Sequence, residues 1–300
     1  MSLNTRLLTP PREEEEIYPY RRVWRSLIIE NGTVAAAAVA LFVAFGFLGL
    51  RLPTVALLPV NLLLAALPAA LWLVFSWLPE ARVPEPRAYL MRVFALSLLV
   101  ASAFALPLIE NVLRPETWLS LESAVNRIIG YTVTVGIVQE TLKYLVLRYA
   151  LPPEALRIRL DGVAYGAAIA VGFTTLFALD YVSRHPDAAP DAVIMRVLAL
   201  LAMHLGGSLI MGYGVAETRL GEATLILLPV TLLVAAALHG VAIPLRSGLM
   251  NAQLSLDGGI TRPLLALGFA LVLLAAPQVV MSFFYRAAER RAEDVVRGQE

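Results

Sequence analysis

The chain has 300 residues, 59% of them hydrophobic and only 16% charged, with a formal net charge of +1. Soluble domains carry nearer a quarter charged residues, and runs such as Leu52 to Trp77 hold no charge at all. The composition excludes a soluble globular protein and shows no basic excess for nucleic acid, while the lack of cysteine excludes disulfides and thiolate metal sites.

Residues 1–31 read as a cytoplasmic tail, polar and partly disordered through "TPPREEEEIYPYRR". Arg21, Arg22 and Arg25 with Trp24 form an interfacial anchor. The first apolar run begins near Gly32, which predicts no cleavable signal peptide. About 20 apolar residues cross a bilayer core as a helix. The pattern predicts eight such helices, at 32–50, 53–78, 88–113, 122–149, 161–182, 192–216, 222–245 and 263–286. Proline- and glycine-bearing separators divide them, and the closeness of Leu50 to Pro53 predicts a tight hairpin between the first two.

The expectation is an all-α polytopic membrane protein of about eight transmembrane helices. Residues 32–118 form three accessory helices, 119–245 a four-helix core, and 246–300 a final helix with a basic cytoplasmic tail. Placing the N-terminus inside puts fifteen arginines on the cytoplasmic side and five opposite. That bias, with an even number of spans, predicts that both termini are cytoplasmic. On the fifth helix Gly162, Gly166, Ala170 and Thr174 recur every four residues, as do Ala164, Ala168 and Gly172. Small residues on two faces let helices approach closely in lipid, so this helix belongs at the bundle centre.

Ionisable residues inside a membrane are costly and are by default candidates for function. The fourth helix carries "VGIVQETLKYLVL", with Gln139, Glu140 and the only lysine of the chain, Lys143. Glu140 and Lys143 lie three apart, on one helix face, and can pair; the pair either neutralises itself or serves chemistry. Gln139 points about 100° away and can hydrogen-bond but not titrate. His204, in "LLAMHLGGSLIMGYG", has glycines around it that make room for another helix or a substrate, and His239 lies in "AALHGVAIPL". A glutamate and two histidines can hold zinc with one open position, or activate a water without metal. His185 reads as a solvated loop residue, Asp161 as a helix N-cap, and Asp180 as a partner for Arg184 or water.

"QETLKY", "DGVAYGAAIAVGF", a mid-helix histidine before "GYG", and "LHG" on the next helix together resemble the PrsW family of intramembrane proteases, relatives of CAAX-prenyl proteases and bacteriocin-processing membrane proteins. The resemblance covers roughly residues 137–245. It implies a catalytic set of Glu140, His204 and His239, which are also the metal ligands if zinc is bound. Gln139, Lys143, Asp161, Phe173 and Phe177 are implied in support. The family pattern opens Glu-Glu-x-x-Lys, its first glutamate acting as general base; here that position is Gln139. A further glutamate is expected four residues after Phe173, where this chain has Phe177. Four residues past His239, where an acidic or amide residue is usual, stands Ile243. The resemblance implies a scaffold for binding transmembrane protein or peptide partners within membrane lipid, with peptidase activity reduced or lost. An active metallo- or glutamic peptidase using Glu140, His204 and His239 is the alternative. A structural subunit or transporter, with Glu140 and Lys143 along a polar path, is a third.

Overall fold

A computed structural model describes residues 20–83, 86–220, 226–251 and 261–297. The acidic tail before Tyr20 and the loop around Gly258 lie outside those residues. Among the described residues the chain is helical, without strands, and is built from eight long helices. Seven are long and apolar enough to cross a membrane, and the protein is an integral membrane protein. They are α1 (Tyr20–Leu41, prolonged by a π-helical stretch to Phe47), α2 (Thr54–Glu80), α3 (residues 90–113), α5 (Arg159–Arg184), α6 (Pro190–Leu220), α7 (Leu227–Asn251) and α8 (Thr261–Arg297). The eighth, α4, runs through residues 124–150; it is as long as the others but less apolar, because Gln139, Glu140 and Lys143 interrupt it.

Helix α1 starts at Tyr20, twelve residues and so more than three turns before Gly32. Its polar residues are satisfied inside the bundle rather than marking an end. Ser76 of α2 donates to Glu30 at 2.5 Å, and Asn31 donates to Gln278 of α8 at 3.0 Å. The expected hairpin is present: α1 ends at Phe47 and α2 begins at Thr54, with Gly49 at φ 68° in the left-handed region that the turn requires. Helix α3 ends at Arg114, which adopts φ 44° before the short helix Pro115–Leu119.

The centre of the bundle is α5 packed on α6. In each, 83% of the apolar window is buried, against 22% in α2, whose outer face presents Val55 and Leu63. The small-residue spacing accounts for this. A Cβ at Gly162 would stand 2.5 Å from the Gly212 carbonyl oxygen, and one at Gly166 would stand 2.7 Å from that of Ser208. The two backbones are therefore in contact, and any larger residue would push them apart. Helix α7 approaches α4 in the same way: Gly136 faces the Ala236 carbonyl and Gly240 faces Thr132 and Ile128. Gly136 closes a π-helical turn, Thr132–Gly136, just before Gln139. Such turns insert one residue into the helical register.

Candidate active site

Helices α4, α5, α6 and α7 bring the sequence-predicted residues together. Lys143 donates to Glu140 Oε1 at 2.7 Å, and its ammonium also reaches the His204 carbonyl oxygen at 3.3 Å. It lies 5.5 Å from the Phe173 ring centroid. Both side chains are fully buried. The Glu140 carboxylate fits because α6 has Gly207 opposite it; a Cβ there would collide with Oε1. The glycines near His204 thus make room for helices: Gly207 for Glu140, Gly212 for α5, and Gly214 for Thr231 of α7.

His239 sits beyond Glu140, with Nδ1 at 3.5 Å from Oε1 and at 3.3 Å from the Ala235 carbonyl oxygen. The bond to Ala235 is long but leaves Nδ1 as the natural position of the ring proton and Nε2 as an acceptor. The His204 and His239 ring centroids are 5.4 Å apart. His204 is flanked by Phe173 and Phe177, each with its centroid at 5.6 Å, and stacks on Phe177 at 28°.

A cavity of about 730 Å³ adjoins this cluster. Its inner wall includes Gln139, Phe177, His204, His239 and Ile243, and its mouth lies among Glu116, Arg184 and His185. Glu140 and Lys143 are not part of the lining. The one-residue offset between 139 and 140 therefore separates two environments: Gln139 faces the cavity, and Glu140 stands behind His239 in a sealed pair with Lys143. Several buried atoms here have no protein partner: Gln139 Oε1, Glu140 Oε2, both ring nitrogens of His204, and His239 Nε2. Buried polar groups are normally hydrogen-bonded, and exceptions call for an explanation.

Other candidates lie apart. Asp161 is fully buried but is the third residue of α5 rather than its cap. Its carboxylate reaches back to the backbone N–H groups of Arg157 at 2.7 Å and Ile158 at 2.9 Å, and takes the Arg87 Nε–H at 2.7 Å. It is twelve residues, roughly 18 Å of helix rise, from Phe173. Asp180 pairs with Arg184 at 2.9 Å, as its position implied, and His185 is exposed. Arg196 on α6 and Arg246 on α7, both cavity-lining, carried no signal in the sequence beyond their charge near the ends of apolar runs.

A family model described as "PrsW family intramembrane metalloprotease" matches residues 85–242, more than half of the chain. The chain belongs to the PrsW family. The match begins upstream of the motif-bearing stretch and takes in α3 to α6 and the first part of α7, through His239. The chain is also similar to Protease PrsW of Bacillus subtilis (strain 168), 30% identical over 108 residues. That alignment covers 35% of this chain and 48% of the relative, so the chain spans about half the length of the curated relative it matches. No solved structure matches.

The family description names a metal. Zinc takes imidazole nitrogen and carboxylate oxygen, and the partnerless buried atoms of His204, His239 and Glu140 are donors of that kind. Among the described residues, no three His, Asp or Glu side chains stand close enough to share one ion as placed. The donor chemistry fits, and a shift of side chains would have to complete the set.

Proposed function

We propose that this PrsW-family chain binds a transmembrane polypeptide in the cavity beside His204 and His239, and that its peptidase activity is reduced or lost. The observation that carries this reading is which side chains line the cavity. Positions 139 and 177 face the space where a scissile peptide and a water would meet the histidines, and they are glutamine and phenylalanine. Neither can take a proton from water. General acid–base catalysis contributes roughly 10²–10⁴-fold, so losing it at the cavity face leaves little hydrolysis.

In this reading Lys143 fixes the Glu140 carboxyl through their 2.7 Å hydrogen bond, and Glu140 holds the His239 ring in place from behind. His204 and His239 are the residues that would hold a zinc ion, and Glu140 Oε2 would join them only by shifting out from behind His239. Zinc bound there would acidify a water and polarise a carbonyl. The phenylalanines around His204 exclude bulk water and fix its ring. The sealed position of Glu140 and Lys143 gives no support to a polar transport path along them.

A second reading keeps an active peptidase with Glu140 as base, favoured by its partnerless Oε2 and its approach to His239. The two are separated by incubating the purified full-length chain with a mixed library of transmembrane peptides bearing juxtamembrane flanks, read by mass spectrometry. The proposal expects no cleavage above a Glu140→Ala control. Cleavage by the native chain that vanishes in that control leaves the active peptidase.

The arginine bias supports cytoplasmic termini, with the cavity mouth on the opposite side. The chain has no cysteine of its own, so single cysteines report accessibility without background. A cysteine replacing Glu154 is expected to label only from the cytoplasmic face, and one replacing Ala188 only from the other; the reverse pattern inverts the topology.

A further inference from the structure

The cavity has a second chemical feature toward its mouth. Arg196 lies eight residues before His204 on α6, and Arg246 lies seven residues after His239 on α7. These spacings correspond to rises of roughly 12 Å and 10 Å toward the same end of the bundle. Both arginines line the cavity that reaches the histidines. The Arg196 guanidinium lies over the Tyr181 ring, 5.3 Å from its centroid, and Arg246 and Tyr181 line the same cavity. Among the described residues neither arginine has an ion pair, and Arg196 Nε is buried without a hydrogen-bond acceptor. The nearest acidic side chains of the lining are otherwise engaged, since Glu110 and Asp180 both pair with Arg184, while Glu116 is exposed at the rim.

Two guanidinium groups thus share one half-buried cavity, and among the described residues neither meets a carboxylate. Guanidinium binds carboxylate through two parallel hydrogen bonds, more strongly than a neutral donor would. Between the arginines and the histidines the walls are apolar, with Val135, Leu200, Met203 and Ile243. We propose that Arg196 and Arg246 form a carboxylate-recognition subsite, which anchors an acidic group of the bound polypeptide above the histidine pair. An extended chain rises about 3.3 Å per residue, so the acidic group lies three or four residues from the peptide bond nearest the histidines, with apolar residues between. The inference rests on the reading that this cavity receives a polypeptide.

The test uses the full-length chain in phosphatidylcholine nanodiscs and measures fluorescence anisotropy of dye-labelled, C-terminally amidated heptapeptides of leucine and alanine. One peptide carries a central aspartate and its counterpart an asparagine. The aspartate peptide is expected to bind about tenfold more tightly, as charge-assisted bonds imply. Arg196→Gln with Arg246→Gln is expected to abolish that preference, and the double lysine variant to retain part of it, which separates lost charge from lost fold. An asparagine peptide with a free C-terminus identifies the carboxylate source: recovered binding shows that a terminal carboxylate serves, and unrecovered binding shows that the side chain is required. Equal affinity of the aspartate and asparagine peptides for the native chain overturns the subsite while leaving a polypeptide cavity. A preference that survives in the double glutamine variant also overturns it. Loss of the preference when phosphatidylglycerol is added to the discs assigns the arginines to a lipid headgroup and overturns it too. If neither peptide binds, the polypeptide reading falls, and the subsite falls with it.

Discussion

Two buried ionic clusters lie at different levels of the same bundle, and they are finished to different degrees. In the first, Arg87 spans Glu80 and Asp161. Both Glu80 oxygens accept from Arg87, at 2.9 Å from its backbone N–H and 2.8 Å from Nη1. Asp161 accepts from Arg87 Nε and from the Arg157 and Ile158 backbone, so every carboxylate oxygen has a donor. In the second, Lys143 satisfies one oxygen of Glu140, while the other, both nitrogens of His204 and Nε2 of His239 have none. Each unsatisfied buried group costs on the order of 1–3 kcal/mol. The first cluster ties the end of α2 and the segment leading into α3 to the start of α5. The second leaves the His204 and His239 nitrogens unpaired beside a cavity and one Glu140 oxygen unpaired behind them.

The contrast predicts unequal responses to mutation. Arg87→Met leaves two buried carboxylates without their shared partner and is expected to cost about 3–5 kcal/mol, seen as a large fall in the unfolding midpoint in detergent. A loss below about 1 kcal/mol would mean that water replaces the arginine and that the cluster is not a structural tie. Lys143→Met strands only one carboxylate, which keeps His239 as a neighbour, and the expected loss is about 3 kcal/mol. Adding Glu140→Gln should return much of it, and a double-mutant cycle with no coupling would separate the two residues. His204→Phe removes two partnerless nitrogens from between Phe173 and Phe177. It is expected to change stability by less than about 1 kcal/mol, or to raise it; a large loss would reveal a partner for His204 within the folded protein.

Much of this was legible in the sequence. Apolar length and proline punctuation placed the helices, and the four-residue recurrence of small residues placed α5 at the centre, because close backbone approach in lipid leaves few other solutions. The three-residue spacing of Glu140 and Lys143 gave their pairing directly. The start of α1 was misplaced because Glu30 and Asn31 look like a boundary until Ser76 and Gln278, distant in sequence, are seen to satisfy them. Asp161 looked like a cap because its bond to Arg87, 74 residues away, cannot be read from local pattern. Which of Gln139 and Glu140 faces the cavity depends on the rotation of α4 against α7, set in part by the π-helical turn, and periodicity carries no signal for that. Arg196 and Arg246 converge only through the antiparallel packing of α6 and α7.

The central claim is that the cavity face lost its proton-handling groups at positions 139 and 177 while the histidine pair stayed in place. The most direct measurement is cleavage of the transmembrane peptide library by the Gln139→Glu, Phe177→Glu double variant, after its folding is verified by unfolding midpoint and monodispersity. The account predicts cleavage that is absent from the native chain, appears in the folded double variant, and disappears again when His204→Ala is added. A folded double variant as inert as the native chain, or a native chain already as active as the variant, would contradict it.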